Sequence, residues 1–310
     1  MKILITGANG FIGSYLADYL LTKGHDVIAT SRQFHASTRK LLTRASIIEL
    51  DVLDKEEMEK LEITADIIIH TATANDSISK DTLKGIELSA VGTKNILDFA
   101  VRNHIPACMV FSTFQVYGTE LLGEIDESSQ LHCQNDYGLN HLYAELYAEM
   151  YSRLGKVRCV SVRPSNVYGN IITDAFNRWN LVPGCFCREA ADSGTITIKS
   201  SGKQMRNFVN LQNLCRAAEA VLEHFPVSYE CYNFASSQGY TMQEVAIKVK
   251  EVFEKKYGKP VALHITGNQP AETNFFNVKL DKLHRLGFTE DEDYNLETAI
   301  EQIFNYCKST

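Results

Sequence analysis

The sequence lacks both an excess of basic residues and the long apolar runs of membrane proteins. Its 310 residues carry a formal net charge of −7. An acidic chain repels the phosphates of nucleic acids and anionic lipids, so we expect neither nucleic acid nor membrane as a partner. No apolar run approaches the roughly 18 residues that span a bilayer. The opening MKILITGANG predicts a strand and a turn, without the longer apolar region of a signal peptide. We therefore expect a cytoplasmic protein.

Cysteine pairs with metal-site spacing are also missing, although the chain contains eight cysteines. No two of them have the C-x-x-C spacing, and most lie in apolar or mixed segments. The segments His132 to Gln134 and Cys185 to Cys187 each lack the second pair of ligands that a zinc site needs. We expect free thiols and no metal site, rather than disulfides.

Short apolar segments alternate with helical patterns in the first half of the chain. Strands are predicted at KILIT, HDVIAT, SIIEL, ADIIIHTAT, ACMVFST and VRCVSVRP. Strands that are apolar throughout and separated by helices indicate a parallel sheet that is covered on both faces. The sequence therefore predicts an α/β fold with a doubly wound parallel (Rossmann) sheet.

The alternation weakens after Pro164, and this change suggests how the chain is divided. We expect residues 1–168 to form a dinucleotide-binding domain, to which residues 206–235 return. Residues 169–205 and 236–310 are expected to form a smaller C-terminal substrate-binding lobe. Neither an internal repeat nor a linker rich in proline, glycine and serine separates the two parts.

Three glycines lie in the turn between the first strand and the first helix. Gly7, Gly10 and Gly13 follow the pattern G-x-x-G-x-x-G, with Phe11 and Ile12 at the start of the helix. Without Cβ atoms the backbone can turn tightly and approach a pyrophosphate, whose charge meets the helix N-terminus. This context predicts dinucleotide binding, and the alternative is a tight turn without a ligand.

The ends of the next two strands indicate which dinucleotide is bound. An NAD site usually has a carboxylate at the end of the second strand, whereas this chain has Ser31 and Arg32. Arginine can bind a 2′-phosphate through charge-assisted hydrogen bonds, so we expect NADP, with NAD as the alternative. Asp51 and Val52 follow the third strand and are placed to meet the adenine. Asp51 could also cap the helix that follows.

Several motifs together resemble a known family. They are TGANGFIG, IIIHTAT, VGTKNILDFA, VFSTFQVYG, YGLNHLYAE, VRPSNVYG, SGKQMRNFVNLQNL and YNFASSQGYTMQEVA, and they cover nearly the whole chain. The chain resembles the extended short-chain dehydrogenase/reductase superfamily, in its NAD-dependent epimerase/dehydratase branch that acts on nucleotide-sugars. The resemblance implies an NAD(P)-dependent oxidoreductase or epimerase. It also adds cofactor contacts at Thr71, Ala72, Thr73, Tyr137, His141 and Pro164.

The resemblance places the catalytic hydroxyl on Thr113, beside Ser112, and the acid/base on Tyr137. In such sites the tyrosine exchanges a proton with a sugar oxygen while hydride moves to or from the nicotinamide. Thr113 could instead cap a strand end, and Tyr137 could be an aromatic packing residue. His141 occupies the position at which related enzymes carry lysine. Histidine can bind the ribose through a ring N–H, but it lowers the tyrosine pKa only when it is protonated.

The substrate contacts implied by the resemblance lie at Ser112, Thr113, Asn166 and Arg206. Asn166 matches the amide that usually holds the diphosphate, and Arg206 matches an arginine at the same nucleotide end. A surface salt bridge is the alternative for Arg206. Relatives usually have acidic residues after this arginine, whereas this chain has amides, which puts the usual hydrogen bonding in doubt. The amide residues are Asn207, Gln212 and Asn213.

The two residues after Thr113 bear on the reaction. A 4,6-dehydratase needs an additional acid and base there, but Phe114 and Gln115 do not titrate. We expect a nucleotide-ketosugar reductase or the reverse dehydrogenase. A nucleotide-sugar epimerase is the first alternative, and a catalytically impaired dinucleotide-binding sensor is the second alternative.

Relatives usually dimerise through two helices, so we expect a homodimer that buries part of an aromatic stripe. The alternative is that the stripe is buried in the core of the subunit. The members of the stripe are Tyr143, Tyr147 and Tyr151.

Overall fold

Helices and strands follow one another along most of the chain. The computed structural model describes residues 1–169, 172, 179, 181–267 and 275–307. Within these ranges no helix is both long enough and apolar enough to cross a bilayer. The strands are β1 (Lys2–Thr6), β2 (Asp26–Ser31), β3 (Ser46–Glu49), β4 (Ile67–His70), β5 (Ala107–Phe111), β6 (Gly123–Ile125), β7 (Arg158–Pro164), β8 (Asn166–Tyr168), β9 (Thr195–Ile198), β10 (Met205–Asn210), β11 (Glu230–Phe234), β12 (Gly239–Thr241), β13 (Ala262–Ile265) and β14 (Phe276–Val278).

The helices have the following bounds. They are α1 (Phe11–Thr22), α2 (Ala36–Leu41), α3 (Lys55–Lys60), α4 (Thr82–Ile86), α5 (Gly92–Arg102), α6 (Asp136–Arg153), α7 (Gly184–Ser193), α8 (Leu211–Glu223), α9 (Met242–Tyr257), α10 (Asp281–Arg285) and α11 (Leu296–Cys307). A π-helical turn, Glu87–Val91, joins α4 to α5, and short 3-10 turns span Ile78–Lys80, Phe114–Tyr117 and Glu292–Tyr294.

A parallel sheet forms the centre of the molecule, in the order β11-β7-β5-β4-β1-β2-β3. Every residue of β4 and β5 is buried, because helices cover both faces of the sheet. This confirms the predicted doubly wound fold. The strand order reverses at β1, so the carboxyl ends of β1 and β4 flank the crevice where such sheets bind their ligands.

Two hydrophobic clusters fill the space on either side of the sheet. On one face, α1 and α8 pack over side chains that include Ile69 and Val162. On the other face, α5 and α6 pack over Ile68 and Cys108. Alternate residues of one strand therefore face opposite clusters, as the period of a strand requires.

The C-terminal helices α7, α9 and α11 build a third cluster against β9 and β13. Strand β10 pairs with β8 and β12 in a separate three-stranded sheet, whereas α8 and β11 rejoin the central domain. The predicted boundaries of the two lobes stay a prediction.

All eight cysteines are free thiols.

Candidate active site

The turn between β1 and α1 is built by close backbone contacts. Gly7 has φ of 70°, and a Cβ atom there would lie 2.7 Å from Thr71 Oγ1 and 2.9 Å from the amide nitrogen of Ala72. A Cβ on Gly13 would lie 2.3 Å from the carbonyl oxygen of Gly7. No side chain caps α1 at Gly10, so its first amides are open to an anion. The turn fits a pyrophosphate, and ligand contacts by Gly7, Gly10, Phe11, Ile12 and Gly13 stay a prediction.

The ends of β2 and β3 lie side by side. Ser31 is half-buried, Arg32 is exposed, and Ser31 is the register partner of Glu49 on β3. The Glu49 carboxylate is held by Arg39 at 2.5 Å. The carboxylate in register with the end of β2 is therefore paired with Arg39, while Arg32 lies exposed beside Ser31.

The predicted adenine contacts follow β3. Val52 is buried, and Asp51 Oδ1 accepts a hydrogen bond from the amide of Leu53 at 3.0 Å. The residue that caps α3 is Asp54, which accepts from the amide of Glu57. Asp51 therefore forms a local turn and does not cap the helix.

The end of β4 completes the wall opposite the glycine turn. Thr71 Oγ1 donates to the carbonyl oxygen of Thr6 at 2.6 Å, and Ala72 and Thr73 are half-buried beside it. His70 is fully buried between Thr6 Oγ1 and the hydroxyl of Thr93. Burial lowers the pKa of His70 to about 3, so this residue is a neutral structural hydrogen-bonding group.

Two of the three predicted catalytic residues, Thr113 and Tyr137, line one cleft of about 350 Å³ at the carboxyl ends of β5 and β7; His141 lies behind Tyr137 and does not line it. Thr113 Oγ1 accepts a hydrogen bond from the amide of Gln115 at 3.3 Å and so caps the turn after β5. Tyr137 is the second residue of α6, after the capping residue Asn135. The cleft collects most of the predicted catalytic and substrate residues; they are Ser112, Thr113, Tyr137, Pro164, Asn166 and Arg206.

His141 lies one helical turn after Tyr137, with 4.6 Å between the ring centroids and an interplanar angle of 65°. Its Nδ1 lies 3.3 Å from the carbonyl oxygen of Phe111, and a carbonyl can only accept, so Nδ1 carries the proton. Nε2 is then the acceptor; it is buried and forms no hydrogen bond in the described part of the chain, although the backbone of Ala74 also lies near the ring and raises its pKa. Burial lowers the pKa of His141 to about 4.

This geometry changes the expected role of His141. The ring N–H that was expected to bind the ribose is committed to Phe111, so only Nε2 is left to accept a hydrogen bond from a ribose hydroxyl. The ring is neutral near pH 7 and places no positive charge beside Tyr137. The unpartnered Nε2 and the glycine turn fit a nicotinamide dinucleotide.

The predicted diphosphate residues sit on paired strands. Asn166 is the first residue of β8, and its Nδ2 donates to the carbonyl oxygen of Asn207 at 2.7 Å. Arg206 on β10 donates to the carbonyl oxygen of Met205, and burial lowers the pKa of its guanidinium. Among the described residues Arg206 forms no ion pair, which leaves its charge to an anionic ligand.

Two of the amides after Arg206, those of Asn207 and Asn213, form hydrogen bonds that carboxylates could not. Asn207 donates to the carbonyl oxygen of Ser236 at 2.6 Å and accepts from its amide at 3.0 Å. Asn213 forms the same double contact with the backbone of Asp291. Each site needs one donor and one acceptor, and an amide side chain has both. The strand-helix junction is thus fully bonded, with Asn210 as the cap of α8.

Sequence reasoning missed several residues of the site. Asp76 and Ser165 line the cleft, and the hydroxyl of Ser165 is buried without a partner in the described chain. Ser165 lies between Pro164 and Asn166, which was the available signal for it. Gln115 was noted only as a residue that cannot titrate, yet it lines the cleft. No pattern in the sequence pointed to Asp76.

The comparison with known families decides the classification. The model of the NAD dependent epimerase/dehydratase family matches residues 3–235. The chain belongs to this family. Its predicted resemblance to extended short-chain dehydrogenases/reductases is confirmed, and the chain is an enzyme of that type.

Individual relatives are distant but match almost end to end. A putative UDP-glucose 4-epimerase of Methanocaldococcus jannaschii is 25% identical, over 99% of this chain and 98% of that protein. A dTDP-4-dehydro-6-deoxy-D-allose reductase of a Streptomyces species is 26% identical, over 86% and 85%. The solved UDP-glucose 4-epimerase of Thermotoga maritima, with UDP-glucose, has a TM-score of 0.85 at 22% identity, over 100% and 99%. Relatives with different reactions are equally similar, so family membership leaves the reaction open.

Proposed function

We propose that this protein reduces the keto group of a nucleotide-ketosugar, with NADPH as the hydride donor. The observation that carries the proposal is the neutral, buried His141 beside Tyr137. A cation at this position would stabilise a tyrosine phenolate, and a neutral ring does not. His141 therefore gives a Tyr137 phenolate no charge stabilisation, and a phenol can donate the proton that a ketone oxygen needs on reduction. The reverse oxidation needs a phenolate and is disfavoured.

The other cleft residues support the same reaction. Thr113 lies at the end of β5 in the cleft that Tyr137 also lines, so its hydroxyl can share the substrate oxygen with the phenol and orient it. A bound nicotinamide dinucleotide would supply the hydride. Asn166 and Arg206 line the same cleft, and the guanidinium, which has no ion pair among the described residues, suits the diphosphate of a nucleotide-sugar.

The choice of NADPH depends on the end of β2. Arg32 is exposed next to Ser31, and Glu49 in the neighbouring strand is paired with Arg39. A guanidinium and a hydroxyl suit a 2′-phosphate better than they suit two ribose hydroxyls. Cellular NADPH favours reduction, so the cofactor and the protonation state of Tyr137 point to the same direction.

A nucleotide-sugar epimerase is the second candidate, and the relatives favour it. The Methanocaldococcus jannaschii and Thermotoga maritima proteins are both described as UDP-glucose 4-epimerases. Several solved neighbours of this fold contain NAD. In an epimerase the dinucleotide would stay bound and return the hydride to the same sugar, so no cofactor would be consumed.

One assay separates these functions. Purified protein is incubated with UDP- and dTDP-linked sugars and 4-ketosugars, with NADPH or NADH, while the absorbance of the reduced nicotinamide is followed. A ketosugar reductase consumes one reduced cofactor per sugar, with NADPH preferred. An epimerase interconverts two sugars without net loss of absorbance. Binding of a dinucleotide without any turnover would instead support the impaired sensor and contradict both proposals.

A further inference from the structure

The turn that follows Thr113 holds Gln115 on three sides. Its amide nitrogen donates to Thr113 Oγ1 at 3.3 Å, and its carbonyl oxygen accepts from the amide of Gly118 at 3.1 Å. Its side-chain Oε1 accepts from Nδ2 of Asn135 at 2.9 Å. Gly138 packs so closely that a Cβ atom there would lie 2.8 Å from the Gln115 carbonyl oxygen. Both the backbone and the side chain of Gln115 are therefore held in place.

The orientation of the Gln115 side-chain amide follows from the helix cap. Asn135 caps α6 with its side-chain oxygen, which accepts from the amide of Gly138 at 2.8 Å. The other end of the Asn135 side chain must then be its NH2 group, which can only donate. The atom of Gln115 that it meets is consequently the oxygen. The oxygen of the Gln115 amide is thus used by Asn135, and Nε2, with its two N–H donors, is left for another partner.

Gln115 lines the cleft together with Thr113 and Tyr137, and part of the cleft lining is apolar. Phe114, Leu121 and Phe276 also line the cleft, with Phe114 and Phe276 stacked at 6.4 Å between ring centroids. A fixed donor beside an apolar wall discriminates strongly, because a ligand without a matching acceptor leaves the donor unpaired.

We propose that Nε2 of Gln115 donates a hydrogen bond to an oxygen substituent of the sugar and so selects sugars that carry an acceptor at that point. Gln115 is a specificity-determining residue in this assignment, since an amide binds and orients but exchanges no proton. The inference deepens the proposed function and rests on the part of it that places a nucleotide-sugar in this cleft.

The sharpest test is Gln115→Glu, which exchanges one atom of the side chain. A carboxylate oxygen can still accept from Asn135, so the support of the helix cap is kept, whereas the N–H donors are lost and a second oxygen faces the sugar. Binding of UDP-glucose, dTDP-glucose, UDP and dTDP is measured by calorimetry. We expect the affinity for the two nucleotide-sugars to fall about tenfold or more, with unchanged affinity for UDP and dTDP and an unchanged Tm.

Gln134→Glu is the matched control, because it adds the same charge to a neighbouring loop. Gln134 accepts hydrogen bonds from the amide and hydroxyl of Thr119 and does not line the cleft. We expect this variant to bind all four ligands as the wild type does. An equal loss for sugars and free nucleotides in Q115E, or the same sugar-specific loss in Q134E, would overturn the inference.

The outcomes also separate this inference from the proposed function. If the wild type binds UDP- or dTDP-glucose and Q115E binds them equally well, the inference fails and the proposed function stands. The same binding series is run with GDP- and ADP-glucose and with GDP and ADP; if the wild type binds none of these ligands either, the nucleotide-sugar assignment fails and the inference fails with it.

Discussion

At the scale of single residues, the first prediction concerns Arg32 and the cofactor. Arg32 is exposed beside Ser31, where the 2′-phosphate of NADPH is expected. Replacing it by alanine removes a charge-assisted hydrogen bond, which contributes about 1.5 to 3 kcal/mol. Arg32→Ala should therefore weaken NADPH binding by roughly ten- to hundredfold and leave NADH binding nearly unchanged, as measured by fluorescence titration. Equal losses for both cofactors would contradict the NADP assignment.

The second prediction at this scale concerns Tyr137 and His141. Burial holds the pKa of His141 near 4, so histidine adds no positive charge near the phenol above about pH 5. A lysine at this position would favour the phenolate and lower the pKa of Tyr137. His141→Lys should therefore shift the pH-rate profile of the oxidative direction to lower pH and keep or improve cofactor binding.

Tyr137→Phe should abolish turnover in both directions, and turnover at the wild-type rate would show that Tyr137 is not the acid/base.

The residue roles show where sequence reasoning stopped. The family resemblance singled out Thr113, Tyr137 and Asn166, and the structure brings these three residues together in one cleft. The proton position on His141 could not be predicted, because it depends on the carbonyl of Phe111, which lies 30 residues away along the chain. The orientation of Gln115 depends in the same way on Asn135, and only the folded chain brings the two together.

At the scale of secondary-structure elements, strands were more predictable than their connections. The run IIIH of β4 is buried on both faces, and such a continuous apolar run is a local signal. The segment from Leu83 to Asn103 has a helical pattern throughout, but a π-helical turn at Glu87–Val91 divides it. Gly92 comes directly after that turn, where a Cβ atom would approach Val52 to 3.0 Å. Periodicity cannot reveal such a contact, because Val52 is distant from Gly92 along the chain.

A buried ion pair joins α6, which carries Tyr137, to β7, which leads to Pro164 and Asn166. Arg163 binds both carboxylate oxygens of Glu145, at 2.9 and 2.7 Å, and also donates to the hydroxyl of Tyr117 at 2.7 Å. Both charged side chains are almost fully buried. We infer that this pair holds the helix with the acid/base in register with the strand that leads to the substrate residues.

The third prediction tests this pair with methionine, which is apolar and similar in length. Glu145→Met alone leaves a buried guanidinium unpaired and should lower the free energy of unfolding by about 3 to 5 kcal/mol. The double variant E145M/R163M should recover most of that loss, because it removes both charges. Urea denaturation measures both effects. If the pair also positions Tyr137, kcat of the stable double variant should fall about tenfold; wild-type kcat would limit the pair to a structural role.

At the scale of the whole molecule, the sheet order and the second lobe depend on contacts between distant segments. The pairing of β11 with β7 joins residues about 70 positions apart, and local pattern gives no register for it. The return of α8 and β11 to the central domain was predicted, whereas β10 joins β8 and β12 in a separate sheet. Arg206 therefore reaches the cleft from outside the central sheet, and this places a residue of the substrate side opposite Tyr137.

The aromatic stripe proposed for the subunit interface is divided between core and surface. Tyr151 is buried in the subunit and donates to Asp98, so it belongs to the core, whereas Tyr143 and Tyr147 are half-buried. Three apolar side chains of α6 are exposed at helical spacing, and they are Leu139, Leu146 and Met150. Tyr143 lies in the same row. This row is the surface that a partner's α5 and α6 would cover in the expected homodimer.

The last prediction is that Met150→Glu converts this dimer to a monomer. A carboxylate in the middle of an apolar helix interface loses its hydration without gaining a partner, which costs several kcal/mol in each of two symmetric copies. Leu122→Glu is the matched control, because Leu122 is exposed next to β6, away from α6. Light scattering at micromolar concentration should give a dimer for the wild type and L122E, and a monomer for M150E. A monomeric wild type would refute the dimer, and a dimeric M150E would place the interface on another surface, because a buried carboxylate in each subunit would prevent association through α6.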